Sequence, residues 1–351
     1  MSIIVSPDIP GNRYITPCRL QAKHSPPQIQ TVTPAPGSEL EKTSFLENLK
    51  DCALTLGAYS INAICKAFGI DSGVKWIEGF VEQKLHERLF RPDQADKIPN
   101  GIKKEDLISI KSENEPTLYG QFFKKENSNL VIIFLHGYAS TIFEHERSCI
   151  KLCDELNVNV AAFDYRGYGF SENDPTGTTT IKGAKRDVVR IYEYLTNKMG
   201  FEGKNVIFYG ASLGGPFALE AYKELKKEKK ESGGVLLLYP FSSIREIVRD
   251  RQPISPLYLL PNGNLNSKDT AQIITDPIHI AHGDKDKKTP KLHAERIHRN
   301  LATEKKDFFT LEGIGHDNIF EPQFANHPSV LAYIKSLKDF MRKHFPEHNI
   351  P

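Results

Sequence analysis

One stretch constrains the fold more than any other, residues 205–219 with the sequence NVIFYGASLGGPFAL. Its apolar run at 206–209 predicts a buried parallel strand, and a helical pattern begins after the glycines. A strand, a sharp turn and a helix around G-x-S-x-G are typical of a nucleophile elbow, whose strained turn holds the serine above the sheet. Gly210 and Gly214 lack the Cβ atoms that would collide where helix and strand pass closely. We therefore predict that Ser212 is a nucleophile.

From about residue 104 onward, apolar runs alternate with amphipathic segments. Strands are predicted at 106–111, 118–123, 130–135, 158–164, 205–209, 235–239, 277–281 and 307–311. Helices are predicted at 144–156, 181–199, 217–230, 290–301 and 328–345. Opening strands followed by repeated β–α units predict an α/β fold with a mostly parallel, doubly wound sheet and helices on both faces. In such sheets, ligands bind at the carboxyl ends of the strands.

The predicted sheet domain spans residues 104–351. The residues that precede it differ from it in composition. Residues 1–40 hold seven of the 22 prolines, which predicts an extended or disordered segment. Residues 41–103 predict a helical extension with a capping box at Ser44 and Glu47 and an amphipathic pattern at 74–90. The uncharged run at 52–65 is too short and too polar to span a bilayer. We expect these helices to pack on the domain; the alternative is a peripheral membrane contact through residues 44–90.

The composition excludes several classes of function. Lys and Arg total 46 against 44 Asp and Glu, and the net charge of +2 gives no indication of nucleic-acid binding. The five cysteines lack zinc-ligand or C-x-x-C spacing, so we expect no metal site and a reducing compartment. The N-terminus lacks the basic and long apolar regions of a secretory signal. We therefore expect a cytoplasmic or otherwise intracellular location, with membrane association under the alternative above.

A serine nucleophile needs a base that takes its proton and a third group that orients this base. Among the 12 histidines, His316 is predicted as the base, because it stands in G-I-G-H-D directly after the last predicted strand. His136 and His282 each precede a glycine at a strand end, and we expect them to stabilise loops. His293 and His298 share a helix face that we expect to be exposed.

The orienting acid is expected in the loop after the strand at 277–281. This loop reads H-G-D-K-D and offers Asp284 and Asp286. The resulting order Ser, Asp, His is that of α/β-hydrolases rather than that of chymotrypsin or subtilisin. Two backbone N–H groups are predicted to form an oxyanion hole, that of Leu213 after the nucleophile and that of Tyr138 after the strand at 130–135.

Six motifs in order carry a resemblance to a known family: His136-Gly137, FDYRGYGFS at 163–171, GASLGGP at 210–216, YPF at 239–241, HGDKDKKTP at 282–290 and Gly315-His316. Residues 105–345 resemble an α/β-hydrolase, and are most similar to small serine hydrolases without a large lid. That group includes protein depalmitoylases and monoacylglycerol or lysophospholipid lipases. The family pattern selects Asp286 over Asp284 as the acid, and it implies structural roles for Asp164, Arg166 and Ser171.

The resemblance implies an esterase, thioesterase or lipase that acts through an acyl-enzyme and needs no cofactor or metal. Its substrate would be an acyl ester or thioester of a lipid, a small molecule or a protein. The span 241–276, where the family inserts lids, is short, so we expect an open site. Candidate acyl-chain contacts, unless this loop packs on the core, are Leu257, Tyr258, Leu259 and Leu260. The alternatives are a peptidase or acyltransferase with the same residues, or a membrane-associated interaction protein with a hydrolase-like body.

Overall fold

The computed structural model describes His86, Phe90 and residues 98–175, 177, 179–251 and 265–351. These residues contain one eight-stranded sheet in the order β1-β2-β4-β3-β5-β6-β7-β8. Its strands are β1 (Ile108–Ser112), β2 (Glu115–Phe123), β3 (Val131–Leu135), β4 (Asn159–Phe163), β5 (Val206–Ala211), β6 (Gly234–Leu238), β7 (Ile278–Gly283) and β8 (Lys306–Leu311). Strand β2 is antiparallel to both neighbours, and all pairs from β4 to β8 are parallel. The predicted mostly parallel sheet is confirmed.

The described helices are α1 (Glu146–Leu156), α2 (Ile181–Asn197), α3 (Gly214–Lys227), α4 (Ile244–Arg251), α5 (Ser267–Ala271), α6 (Leu292–Arg299) and α7 (Pro328–His344). Short 3-10 turns lie at Lys104–Asp106, Ile142–His145, Gly203–Asn205 and Pro322–Phe324. Tyr209 of β5 belongs to the core cluster formed with α1 and α7, whereas the adjacent Phe208 stacks on Tyr192 of α2. Successive strand residues point to opposite faces, so helices cover both faces of the sheet.

Burial on both faces explains the apolar runs from which these strands were predicted. Every residue of β3, β4 and β6 is buried, as expected for central parallel strands. Local signals set the helix ends as well. Helix α1 ends at Asn157, whose φ of 52° is the left-handed conformation of a C-terminal cap. Helix α2 begins after Thr180, whose hydroxyl accepts a hydrogen bond from the N–H of Gly183.

Two predicted boundaries differ in a way that concerns the elbow. Strand β5 continues through Ala211, and α3 begins at Gly214, three residues before the predicted start. Only Ser212 and Leu213 separate them, so the turn is as tight as the motif requires. Among its described residues, the span 241–276 contains α4 and α5. The candidate acyl-chain contacts, Leu257, Tyr258, Leu259 and Leu260, lie outside the described residues.

Residues 1–40 and nearly all of 41–103 also lie outside the described residues, so these domain boundaries stay predictions. His86 and Phe90 are described, and both are buried. The ring of Phe90 stacks on Phe217 of α3 at 6.2 Å, and the N–H of Ile181 lies 3.4 Å from Nε2 of His86. These two side chains therefore contact the domain. Within the described part of the chain, no helix combines the length and the apolar character needed to cross a bilayer.

Close backbone contacts surround the elbow. A Cβ atom on Gly214 would lie 2.1 Å from the carbonyl oxygen of Leu135, at the end of β3. A Cβ atom on Gly210 would lie 2.5 Å from the carbonyl oxygen of Gly214. Both are backbone atoms, which cannot turn aside as a flexible side chain can. Helix α3 can therefore start this close to the strands only with glycine at both positions.

Gly214→Ala is expected to lower the free energy of unfolding by at least about 2 kcal/mol, because the new methyl group forces α3 away from β3. The measurement is urea denaturation followed by circular dichroism. Gly137→Ala is the control: its Cβ would have no neighbour nearer than 3.4 Å, so the change should stay below about 1 kcal/mol. Equal stability of Gly214→Ala and the wild type would contradict the constraint.

Candidate active site

Ser212 occupies the turn between β5 and α3 in a strained backbone conformation. Its φ is 52°, in the left-handed region that residues other than glycine rarely adopt. Two backbone hydrogen bonds hold it there: its N–H donates to the carbonyl of Leu238 at 2.8 Å, and its carbonyl accepts from Gly215 at 3.0 Å. Because β5 lies between β3 and β6, this turn stands at the carboxyl edge of the sheet centre.

The structure brings the predicted nucleophile, base and acid together. Oγ of Ser212 lies 2.9 Å from Nε2 of His316, and Nδ1 of His316 lies 2.6 Å from Oδ2 of Asp286. A carboxylate only accepts, so Nδ1 carries the imidazole proton and Nε2 can accept the serine hydroxyl proton. Their residue numbers differ by 104 and 30, so only the parallel sheet brings them together. Their catalytic roles stay a prediction.

Backbone N–H groups of its own loop and two imidazoles hold the Asp286 carboxylate. Oδ1 accepts hydrogen bonds from the backbone N–H groups of Lys288 and Thr289, each at 2.8 Å. Nε2 of His282 donates to the carbonyl of Thr289 at 2.6 Å and lies 3.2 Å from Oδ2. Burial opposes ionisation of Asp286, but the hydrogen bonds from His282, His316 and Thr289 outweigh it and hold the pKa well below the usual range.

His282 thus has a role that its sequence context indicated only in part. It was expected to stabilise a loop, and the structure identifies this loop as the one that presents the acid. Its neighbour Asp284 points elsewhere: Oδ1 accepts the N–H of Gly313 at 2.7 Å, and Oδ2 pairs with Lys285 at 3.3 Å. Of the two candidate acids, Asp286 is the one beside His316.

Both predicted oxyanion donors lie on loops that line the same cavity as Ser212. Leu213 directly precedes α3, so its N–H is close to the positive end of that helix dipole. Tyr138 follows Gly137, and a Cβ atom on Gly137 would lie only 3.4 Å from Cβ of Ser212. The loop after β3 therefore passes beside the nucleophile. Use of the two N–H groups as oxyanion donors stays a prediction.

A cavity of about 540 Å³ adjoins Ser212, a volume typical of small-molecule sites. Aromatic and aliphatic side chains form most of its wall: Phe134, Tyr209, Leu238, Tyr239, Phe241, Ile244, Ile247 and Phe320. Charged groups line it at Lys288 and Asp317, and both residues are exposed. The described part of the site thus combines a serine that is hydrogen-bonded to a histidine with an apolar wall and a charged rim.

The expectation that His293 is exposed is wrong. Its side chain is fully buried, and Nδ1 lies 2.8 Å from Oγ of Ser242, which also donates to Glu246. Burial lowers the pKa of His293 to about 4, against the opposing charge of Asp250. Ser242 is itself inaccessible, so no substrate reaches this second serine–histidine pair. His298 is half-buried, against Phe308, rather than exposed.

Known proteins are similar to this chain in sequence and in fold. The family model described as serine aminopeptidase S33 matches residues 126–261, which include the elbow. The uncharacterized protein YfhR of Salmonella typhi is 28% identical over 218 residues, which cover 60% of this chain and 71% of YfhR. Lysophosphatidylserine lipase ABHD12 of Macaca fascicularis is 25% identical over 248 residues, which cover 63% of this chain and 58% of the lipase. The chain has the α/β-hydrolase fold, and its sequence is similar to those of α/β-hydrolases.

A solved structure shares the fold of this α/β-hydrolase at low sequence identity. It is an α/β-hydrolase from Vibrio vulnificus, with a TM-score of 0.56 and 19% identity, and the match covers 73% of this chain and 92% of that structure. This likeness supports the fold assigned above.

His282→Phe is expected to slow modification of Ser212 by a fluorophosphonate, a reagent for activated serines, up to about 100-fold. The phenyl ring fills the same space but lacks the N–H that fixes the acid loop. The measurement is the second-order rate constant of labelling. His298→Phe is the matched control, since its ring lies on α6 away from the cavity, and it should label at the wild-type rate. A wild-type rate for His282→Phe would contradict the role given to His282.

Proposed function

We propose that this α/β-hydrolase is a serine hydrolase that cleaves carboxylic esters or thioesters through an acyl-enzyme. The observation that carries the proposal is the hydrogen-bonded chain from Ser212 through His316 to Asp286, with distances of 2.9 and 2.6 Å. This constellation is the one that activates serine in many unrelated hydrolases. An apolar cavity beside a serine could bind a ligand without any reaction. A histidine oriented to take the serine proton, however, contributes to catalysis and not to ligand binding.

In the first half of the reaction, Oγ of Ser212 attacks the acyl carbonyl carbon while Nε2 of His316 takes the hydroxyl proton. Asp286 holds the imidazole in the required tautomer and stabilises the imidazolium that forms. The negative charge that develops on the carbonyl oxygen is stabilised by the N–H groups of Leu213 and Tyr138. Cleavage of the ester or thioester bond then releases the alcohol or thiol, which receives the proton from His316, and leaves the acyl group on Ser212.

In the second half, water takes the place of the leaving group. His316 removes a proton from the water as its oxygen attacks the acyl carbon, and the proton then returns to Oγ of Ser212 as the carboxylic acid leaves. Every step uses proton transfer and hydrogen bonds from the chain itself. The proposed reaction therefore needs neither a cofactor nor a metal.

The cavity wall supports an acyl group as the part of the substrate that is bound. Phe134, Tyr209, Ile244 and Ile247 would contact an aliphatic chain but offer few partners to a polar one. One relative is named as a lysophosphatidylserine lipase, and the substrate in that name is a lipid ester. Lipid-like esters and S-acyl groups are therefore the substrate classes that we favour.

The second candidate is a peptidase, which the matching family model supports through its description as a serine aminopeptidase. Among the described residues that line the cavity, Asp317 is the only carboxylate, and it would pair with the ammonium group of a peptide N-terminus. Amide hydrolysis would use the same three side chains. An acyltransferase would differ only in the acceptor, an alcohol or amine in place of water.

Ser212→Ala is expected to abolish fluorophosphonate labelling and ester hydrolysis, because no other hydroxyl in the described residues lies at the elbow. Intact-protein mass spectrometry checks the labelling, and p-nitrophenyl esters of increasing chain length check the hydrolysis. Ser140→Ala is the control, because Ser140 lines the same cavity but its hydroxyl contacts His145 rather than His316. Labelling of Ser212→Ala at the wild-type level would overturn the enzyme reading and favour a binding protein.

The same assay separates the candidate substrates. Long-chain p-nitrophenyl esters and acyl thioesters should give a higher kcat/KM than short esters, because the apolar wall binds the added methylenes at roughly 0.8 kcal/mol each when they are fully buried. Aminoacyl p-nitroanilides should be poor substrates. A higher kcat/KM for the anilides would instead support the peptidase.

Asp286→Asn is expected to lower kcat by about 10⁴-fold with little change in KM, as the corresponding substitution does in other Ser-His-Asp enzymes. The amide reverses the preferred tautomer of His316 and cannot stabilise its charged form. Asp284→Asn, two residues away in the same loop, is the matched control and should change kcat less than about twofold. A large fall in kcat for Asp284→Asn with little change for Asp286→Asn would instead assign the role of the acid to Asp284.

A further inference from the structure

The loop that carries Tyr138 is tied at both ends to one buried carboxyl group. Residues 137–141 connect β3 to the 3-10 turn Ile142–His145. At the far end of the loop, the N–H of Ile142 donates to Oδ1 of Asp164 at 2.9 Å. At the near end, Nε2 of His136 lies 3.5 Å from the same oxygen. Asp164 directly follows β4 and is buried, as is His136.

The contacts of this pair favour an additional proton between the two side chains. Nδ1 of His136 lies 2.9 Å from the carbonyl oxygen of Gly137, which can only accept, so the proton of a neutral imidazole is on Nδ1. Nε2 would then present a lone pair to Oδ1 of Asp164. Two buried acceptors that face each other repel, and neither can turn to water. The contact is favourable only when one more proton lies on Nε2 or on Oδ1.

The surroundings of Asp164 keep this proton in place at neutral pH. Burial raises the pKa of Asp164 to about 8, the N–H of Ile142 opposes the rise, and the negative charge of Glu144 on the adjacent 3-10 turn adds to it. Tyr165 and Tyr168, from the loop after β4, pack on the ring of His136 at 4.4 and 5.5 Å. In the described part of the chain, no lysine or arginine pairs with Asp164.

The loop needs these ties because its backbone is strained. Ala139 has a φ of 51°, a left-handed conformation that costs a non-glycine residue roughly 1 kcal/mol or more. Such a conformation persists only where the surroundings hold it. The hydroxyl of Tyr165 adds a third tie by donating to the carbonyl of His136 at 3.2 Å. The strained segment is the one that passes beside Ser212.

We propose that Asp164 is a positioning residue for the oxyanion hole, which holds loop 137–141 in place through a proton that it shares with His136. The inference rests on the proposed function, in which the N–H of Tyr138 is an oxyanion donor. Loss of the proton leaves a buried negative charge opposite a lone pair, so the His136 end of the loop moves away. The oxyanion donor then moves with it, and stabilisation of the transition state falls while substrate binding is retained.

The test is the dependence of kcat on pH for an uncharged p-nitrophenyl ester, from about pH 6 to about pH 10. The wild type should lose kcat as pH rises through about 8, the pKa of Asp164. Asp164→Asn keeps the shape of the side chain and does not titrate. Its amide oxygen can accept the N–H of Ile142 in place of Oδ1, but that oxygen cannot also donate to Nε2 of His136. It keeps one of the two ties, so its kcat at pH 7 should lie between those of the wild type and Asp164→Ala, and it should show no loss at alkaline pH.

Asp164→Ala removes both ties and should lower kcat about tenfold or more at every pH, with KM within about twofold of the wild type. Titration of Ser212 with a fluorophosphonate counts the active molecules, so misfolded protein does not enter kcat. If Asp164→Ala does not fold, the dependence of kcat on alkaline pH in Asp164→Asn still tests the role of Asp164.

The outcomes separate this inference from the proposed function. A labelled, active wild type whose alkaline loss near pH 8 persists in Asp164→Asn would overturn the role of Asp164 alone, as would a wild type that shows no such loss. A wild type that neither labels nor hydrolyses esters would overturn both.

Discussion

Helix α3 starts so close to the ends of β3 and β5 that only glycine hydrogens fit between the backbones at Gly210 and Gly214. This packing leaves two residues for the turn, and it forces Ser212 into the left-handed region at φ 52°. The rest of the site depends on this turn, because it directs the serine hydroxyl out of the sheet and the start of α3 toward the cavity. The base and the acid have only to meet a hydroxyl whose place is already set.

Two buried aspartates at strand ends are kept in opposite protonation states by the number of donors around them. Asp286 accepts from two backbone N–H groups and faces two imidazoles, so it stays ionised in spite of its burial. Asp164 accepts from one backbone N–H group and lies near Glu144, so burial dominates and it stays protonated. The proposed reaction needs both states: a charge that orients the base, and a neutral group that holds the loop beside the serine.

Much of the fold and of the site could be predicted from the sequence, because the deciding signals are local. Apolar runs that end at glycines located the strands, and motifs at their carboxyl ends located Ser212 and His316. The errors concern contacts between segments far apart in sequence. The burial of His293 depends on Ser242, 51 residues earlier, and a helical pattern cannot indicate it. The loop-holding role of Asp164 requires the distance to His136, which only the paired strands β3 and β4 provide.

The strand order has a consequence for how this α/β-hydrolase would lose its function. Ser212 follows β5 at the middle of the sheet, whereas His316 follows β8, the last strand in the order, and Asp286 follows the neighbouring β7. Strands at a sheet edge open locally at a lower free energy than those at the centre. Separation of this edge would remove the base and acid from the serine while the remaining strands stay paired. Activity would then be lost when β7 and β8 separate from the sheet, before the whole domain unfolds cooperatively.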